Sequence, residues 1–459
     1  MSNIPMTLPE LAISIQSRPF GHTSTFVELE NGHILHASYR ALEWSDDVGM
    51  TWSRAQHEDE LMVDVNGDPV GGAETSLVKL SGKNAVGLCA RIPGAMVEGT
   101  WAMPTRNLGF KFWRSNDGGK TWQPPVIMTP PGMVTAGLQD TFLRTSSGRI
   151  ILPACVILGD KSKKRMGPRD EHQPMSGRLV KNQWVASAGH FFDPSYSCNY
   201  VLYSDNEGDN WQMNKDGPMM IMGDWNSDYQ YSNEASVTEV KPGRLLLMAR
   251  NGMGRLFQAW SNDNGETWTR LQPTSLAACT TPAQIRTLPN GHLLCVWNQT
   301  SEQETKSGLN RTRISSAISR DGGRVWEFFQ NVQSLHETTR VEPGPIHPVR
   351  PEEISFPAGR AATERDPQYI DNREVHARFS YPSVFVMKDR VFITHTYKGM
   401  LMEHPTLAQL IEHGTTDIHP ETGETMGQYL KILPLKWFYG GKEPADNPFL
   451  KEAYEPAKP

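Results

Sequence analysis

Short apolar runs come in pairs along this chain, each pair joined by a few polar or glycine residues. The copies read HTSTFVELENGHILHASY from His22, ETSLVKLSGKNAVGLCA from Glu74, QDTFLRTSSGRIILPA from Gln139, NEASVTEVKPGRLLLMAR from Asn233, TPAQIRTLPNGHLLCVWN from Thr281 and YPSVFVMKDRVFITHTY from Tyr381. Apolar runs of strand length bounded by Gly, Pro, Asn and Asp predict β-hairpins. Six hairpins predict six units.

A second repeat follows the hairpins. SNDGGKTW (Ser115 to Trp122), SDDVGMTW (Ser45 to Trp52) and SNDNGETW (Ser261 to Trp268) share Ser, Asp, Gly, Thr and Trp at fixed spacing. SRDGGRVW (Ser319 to Trp326) and SDNEGDNW (Ser204 to Trp211) keep the pattern with substitutions. Asp two residues before Gly suits a tight turn, in which the carboxylate accepts from nearby backbone N–H groups and Gly takes a positive φ. Each Asp box is therefore read as a turn, with its Trp opening the next strand. Repeated strand and turn units of this length predict an all-β fold, a six-bladed β-propeller with one four-stranded sheet per blade. The repeat runs across most of the 459 residues, so residues 1–459 are read as one domain.

Propellers usually close by completing one blade with strands from both chain ends, which removes open sheet edges. Residues 11–19 (LAISIQSRP) and Leu430 to Gly441 (LKILPLKWFYGG) are the available runs, so closure is expected in blade 6, which lacks a box. Strands of alternating direction put the strand 1–2 turns and the boxes on one face, and the strand 2–3 loops and blade connections on the other. Two long insertions, 156–196 and 327–379, fall on that second face, which is expected to carry function. A third, 401–428, interrupts blade 6 and holds PTLAQLIEHG, a predicted short helix ended by Gly414.

A hydrophobic content of 38% with 39 Gly and 33 Pro fits a turn-rich β protein. The net charge of -6, with no basic run, argues against nucleic-acid binding, and no stretch reads as a membrane span. The start, MSNIPMTLPELAIS, has no basic segment followed by an apolar one, so a cytoplasmic protein is expected. Cys89, Cys155, Cys198, Cys279 and Cys295 are odd in number and lack ligand spacing. They are read as buried thiols, and no metal or cofactor is expected.

Candidate chemistry converges on the axis. Residues just before the apolar core of each innermost strand crowd the channel mouth: His22, Glu74, Asp140, Glu234, Thr281 and Tyr381. Strand 2 returns to that face with Tyr39 or Arg40, Arg91, Arg250, Asn298, and Tyr397 or Lys398. Guanidinium groups clamp a carboxylate through two parallel charge-assisted hydrogen bonds, so arginines near one axis point to a ligand that carries a carboxylate.

On these residues the chain resembles the sialidase (neuraminidase) superfamily, six-bladed propellers whose Asp boxes lie on the face opposite the active site. NEASVTEVKPGRLLLMARN is similar to the family segment whose first Glu partners the nucleophile and whose later Arg binds the substrate carboxylate. The resemblance implies those roles for Glu234 and Arg250. SYPSV is similar to the family's nucleophile motif, which implies Tyr381, and NRTRISSAISRDGG places another carboxylate-binding arginine at Arg311 or Arg313. A neutral phenol helped by a carboxylate avoids repulsion by an anionic sugar.

The sequence departs from the family twice. Its first hairpin begins FGHTS, with Gly21 where the family has an arginine and His22 after it, and ASYRALEWSDD lacks the acid/base Asp. Glu74 and Asp140 are the two carboxylates left for acid work. Glu74 follows Gly71, Gly72 and Ala73, with few charge partners expected, and is read as the proton donor. Asp140 has Arg144 on the same side of an extended strand, which would hold it ionised as an orienting carboxylate. The implied function is a sialidase-like exo-glycoside hydrolase acting on a sialic or uronic acid. A uronate lyase using Tyr381, Tyr397 and His22, and a non-catalytic sugar-binding propeller with Trp225, Tyr229 and Tyr231 as stacking faces, are the alternatives.

Overall fold

The computed structural model describes residues 12–16, 24–30, 32–38, 41–54, 74–93, 108–129, 135–136, 140–159, 176–180, 183–187, 195–224, 228–230, 232–306, 309, 311–334, 336–347, 377–400, 417–418 and 424–440. They form six antiparallel blades plus two small hairpins. Blade 1 holds Ser24–Glu28, Ile34–Ser38, Ala41–Ser45 and Ser53–Arg54, and blade 2 holds Thr75–Lys79, Val86–Pro93, Leu108–Ser115 and Val126–Ile127. In blade 3 the innermost strand is split into Thr135–Ala136 and Leu143–Arg144, followed by Ile150–Gly159, Ser195–Ser204 and Gln212–Met213. Blade 4 holds Asn233–Lys241, Arg244–Arg250, Arg255–Ser261 and Gln272–Ala277. Blade 5 holds Gln284–Thr287, Leu293–Trp297, Arg313–Ser319 and Glu327–Ser334.

Blade 6 closes the ring as expected. Ala377–Val386, Arg390–Met400 and Glu424–Pro434 are completed by Ala12–Gln16, which pairs antiparallel with Glu424–Pro434. The strand expected over Leu430 to Gly441 lies earlier. Pro434 ends it, and Leu435–Tyr439 turns into a 3-10 helix stopped by Gly440 at φ 82, with Trp437, Phe438 and Tyr439 buried against blades 5 and 6. The insertion bounds also shift. Glu327–Ser334 is the outer strand of blade 5, and Val156 still belongs to strand 2 of blade 3. The helix expected in PTLAQLIEHG lies outside the described residues.

Each of the six apolar clusters draws on two neighbouring blades. One joins blades 1 and 2 through Leu35, Leu77 and Leu88, another joins blades 2 and 3 through Phe112 and Leu152, and the series continues round to Phe26, Ile34, Phe392 and Ile432 between blades 6 and 1. A sheet covered on both faces needs apolar residues on both, so Ile34–Ser38 and Leu293–Trp297 are buried throughout. All five cysteines are free and buried within this packing.

The boxes fold as turns stapled by Ser and Asp. In the first, Asp47 accepts from the Thr51 backbone N–H at 2.8 Å, the Thr51 hydroxyl at 2.6 Å and the Ser45 hydroxyl at 2.8 Å, while Gly49 N–H donates to Ser45 Oγ. Val48, Glu207 and Asn264 precede the box glycine and take positive φ, where the other two boxes place Gly118 and Gly322. The boxes lie with the strand 1–2 turns. Box residue Glu207 accepts from Ser81 and Arg144, and Asn264 N–H donates to Gly243 O. The opposite face is thereby left for chemistry.

Candidate active site

Register aligns the blades at the axis. Pairs close to the strand 1–2 turns are Lys79 and Val86, Arg144 and Ile150, Glu239 and Leu245, and Val386 and Val391, with Lys241 and Arg244 still paired beyond a register shift in blade 4. Counting outwards equally from these pairs reaches Glu74, Glu234 and Tyr381 along strand 1 of blades 2, 4 and 6, although in blade 4 it is Asn233 that pairs with Arg250. It also puts Arg91, Cys155 and Arg250 at one position of strand 2 in blades 2, 3 and 4.

Backbone geometry singles out three of the expected residues. Apart from box residues and Phe328, the only non-glycine positive φ values among the described residues are at Glu234 (41), Arg311 (61) and Tyr381 (54). Register shifts between Asn233 and Ser236 and between Ser380 and Ser383 place Glu234 and Tyr381 in β-bulges. A bulge re-aims a side chain and a left-handed residue costs about 1–3 kcal/mol, which the flanking sheet must offset. Three such residues, Glu234, Arg311 and Tyr381, fall at the candidate site.

The side chains meet there. Arg250 forms an ion pair with Glu234, with only 11% and 13% of the two side chains exposed. The same Arg250 Nη1 lies 3.5 Å from Tyr381 Oη. Arg311 stacks over the Tyr381 ring at 5.4 Å from its centroid, and its Nη2 donates to Thr280 O at 3.4 Å. Burial first, and then the negative charge of Glu234, push the Tyr381 phenol above its ordinary value, while Arg250 and Arg311 pull it back. The phenol is thus neutral at rest, within the field of the Glu234 carboxylate.

Exposure separates the two candidate arginines on blade 5. Arg313 is 1% exposed and gives both terminal nitrogens to Glu304, with a further contact to Gln299 O, so it braces the loop before it. Arg311 is the one at the axis.

Two expectations about carboxylates are corrected. Glu74, read as having few charge partners, forms an ion pair with Arg91 at 2.9 Å, and Arg91 N–H also donates to Glu74 O. Asp140 does not meet Arg144, because residues 140–142 are not in a strand and even spacing there does not fix a common face. Arg144 binds Glu207 instead. Asp140 is 7% exposed, pairs with Arg286 of blade 5 at 2.9 Å and accepts from Val384 N–H of blade 6 at 3.0 Å. Burial raises its carboxyl above the ordinary range, against Arg286 and that N–H. Asp140 therefore ties blade 3 to blades 5 and 6. Arg286 escaped the sequence reading; an arginine within the apolar inner strand TPAQIRTL was the available signal.

Other expected residues fall elsewhere. His22, Tyr39, Arg40, Trp225 and Tyr231 lie outside the described residues, and Tyr397 is placed by its backbone alone, opposite Phe379. Asn298 is fully buried and donates to Arg313 O and Phe379 O, and Thr281 is 1% exposed. Cys155 sits where blades 2 and 4 have arginines, and its thiol interacts with the Glu234 backbone N–H and feels Glu234, Arg91 and Glu74. Burial pushes that thiol up to about 12. Among the described residues no group of His, Cys, Asp or Glu is arranged to hold a metal ion.

Comparison with known proteins agrees with this architecture. The structure is similar to a protein of unknown function from Dyadobacter fermentans, with TM-score 0.51, 16% identity, and coverage of 93% of this chain and 100% of that one. It is similar to the Hadza microbial sialidase Hz136 with TM-score 0.50, 16% identity, and coverage of 81% of this chain and 62% of the sialidase. The K499G mutant of NanB sialidase from Streptococcus pneumoniae gives TM-score 0.50 and 11% identity over 94% of this chain and 72% of that one. Likeness at these identities shows the fold. No curated protein matches the sequence. Residues 92–393, well over half of the chain, match the BNR repeat-like domain. With its six blades and five Asp boxes, the chain belongs to the BNR repeat-like domain family, as a six-bladed propeller.

Proposed function

We propose that the axial site is that of an exo-glycoside hydrolase acting on a monoanionic sugar, a sialic or uronic acid. The observation that carries this reading is the meeting of Glu234, Arg250, Arg311 and Tyr381, three of them on left-handed backbone. Among the described residues the carboxylates of Glu74 and Glu234 stand with the guanidiniums of Arg91, Arg250 and Arg311. With a neutral Tyr381, these described groups sum to one positive charge, which suits one ligand carboxylate.

In this reading Arg250 and Arg311 take the sugar carboxylate through charge-assisted hydrogen bonds. Glu234 accepts the Tyr381 proton as the phenol oxygen bonds to the anomeric carbon and the glycosidic C–O bond breaks, its electron pair passing to the leaving oxygen, which takes a proton from solvent. Water then attacks the anomeric carbon, its proton going to solvent, as the C–O bond to Tyr381 breaks and Glu234 returns the phenol proton. Arg250, in contact with both Glu234 and Tyr381, stabilises the phenolate as it forms.

A second reading has its own support. Both carboxylates expected to serve as proton donors are engaged, Glu74 by Arg91 and Asp140 by Arg286. That neither of these two carboxylates stands alone favours a propeller that binds acidic sugars without cleaving them. Incubation with sialosides, Kdo-glycosides, uronides and neutral glycosides, with products detected by mass, separates the two. Products from an acidic glycoside support hydrolysis, an unsaturated uronate absorbing in the ultraviolet supports a lyase, and binding without product supports the second reading.

A further inference from the structure

Glu74 and Arg91 form in blade 2 a Glu–Arg ion pair at the same end of strands 1 and 2 as Glu234 and Arg250 in blade 4, where Asn233 pairs with Arg250 and Glu234 follows in a bulge. The ring order makes blade 2 face blades 4 to 6 across the channel, since innermost strands touch in sequence from blade 1 to blade 6 and back to blade 1. On strand 2 of blade 3 the thiol of Cys155 takes the intervening position, and that thiol feels both Glu234 and the blade 2 pair. Among the described residues two Glu–Arg dyads thus approach the axis on either side of Cys155.

The dyads differ in geometry. Blade 4 is bulged at Glu234, whereas blade 2 runs in unbroken register from Thr75 with Ala90 to Lys79 with Val86. Regular backbone holds Glu74 and Arg91 side by side along the channel wall, with 15% and 20% of their side chains exposed, more than either partner of the blade 4 pair. Arg313 shows what a bracing arginine looks like here: 1% exposed, both terminal nitrogens on Glu304 and a backbone carbonyl besides. Among the described residues the Arg91 guanidinium meets one carboxylate, which leaves several of its five N–H donors for a ligand.

We propose that Glu74 and Arg91 form a second polar subsite, which recognises a pair of neighbouring hydroxyls on the ligand whose carboxylate rests on Arg250 and Arg311. This inference rests on the acidic-sugar reading above. A carboxylate and a guanidinium side by side match a vicinal diol. One hydroxyl donates to a Glu74 oxygen, its neighbour accepts from Arg91, and both bonds are charge-assisted. A simple carboxylate or a deoxygenated sugar satisfies the first dyad and not the second. Glu74 and Arg91 thereby act in specificity, away from the bond that is cleaved.

Calorimetric titration tests this with wild type, Arg91→Gln, and the double variant Glu74→Gln/Arg91→Gln, in which no charge is left unpaired. The probes are N-acetylneuraminic acid, glucuronic acid, and the analogues of each deoxygenated at one hydroxyl at a time. Wild type is expected to bind one of the acids roughly 10- to 100-fold more tightly than its matching deoxy analogue. Both variants should lose that preference, and the double variant, which keeps the net charge of the site, should bind the deoxy analogue as wild type does. A preference that survives in both variants, or an equal loss for acid and analogue, overturns the subsite while leaving the acidic-sugar reading intact. Failure of wild type to bind either acid overturns both.

Discussion

Asp140 and Arg286 meet at 2.9 Å although they belong to blades 3 and 5, and the Asp140 carboxylate also takes the Val384 N–H of blade 6. This ion pair holds one side of the ring to the other beneath the site. Removing one partner of a buried pair leaves an uncompensated charge, at a cost of roughly 3–5 kcal/mol, whereas apolar replacement of both is often neutral. Urea denaturation of Asp140→Leu is expected to show a loss of that size, and Asp140→Leu/Arg286→Met should recover most of it. A double variant no more stable than the single one contradicts the strut.

The Asp-box carboxylates serve folding, and their titration reports it. The Thr51 hydroxyl and backbone N–H hold the Asp47 carboxyl down at about 2. Nuclear magnetic resonance titration is expected to find that value in wild type and a rise towards the ordinary 3.8 in Thr51→Val. Because the folded value is depressed, the contribution of this group to stability is present above the unfolded value and fades as pH falls towards 2. An Asp47 that titrates at its ordinary value in wild type contradicts the turn geometry.

Lys431 is buried in the closing blade, with its ammonium donating to Val332 O and Gln333 Oε1 of blade 5. Burial lowers it from 10.5 to about 7. Between those values the unfolded chain binds more protons than the folded one, so this group makes stability rise with pH across that window. Lys431→Met is expected to flatten that slope, with a difference from wild type of roughly 3–5 kcal/mol between its two ends. Equal slopes for the two proteins in denaturation from pH 7 to pH 10 contradict a neutral buried lysine.

Repetition made the fold legible. Five Asp boxes and six hairpins are local patterns, set by turn chemistry and apolar runs, and each recurs at its expected place in the blades. Glu234, Arg250 and Tyr381 were legible because they flank those hairpins at fixed offsets. The partners of Glu74 and Asp140 were not. Glu74 meets Arg91 only because blade 2 pairs without a bulge, and Asp140 meets Arg286 and Val384 only because the ring closes. Arg311 and Arg313 look alike in NRTRIS, and a left-handed residue at Arg311 decides which one faces the axis. Bulges and closure arise from contacts far apart in sequence, which residue spacing does not encode.

The central claim is that Tyr381, with Glu234 beside it, cleaves glycosides of acidic sugars. The direct measurement is the rate of aryl release from aryl sialosides, Kdo-glycosides, glucuronides and matching neutral glycosides by wild type, Tyr381→Phe and Glu234→Gln, with melting temperature recorded for each protein. Release by wild type is expected from an acidic glycoside alone. A fall of at least about 100-fold is expected in both variants, with melting temperatures nearly unchanged. Release that persists undiminished in Tyr381→Phe, or that occurs only with neutral glycosides, contradicts that claim.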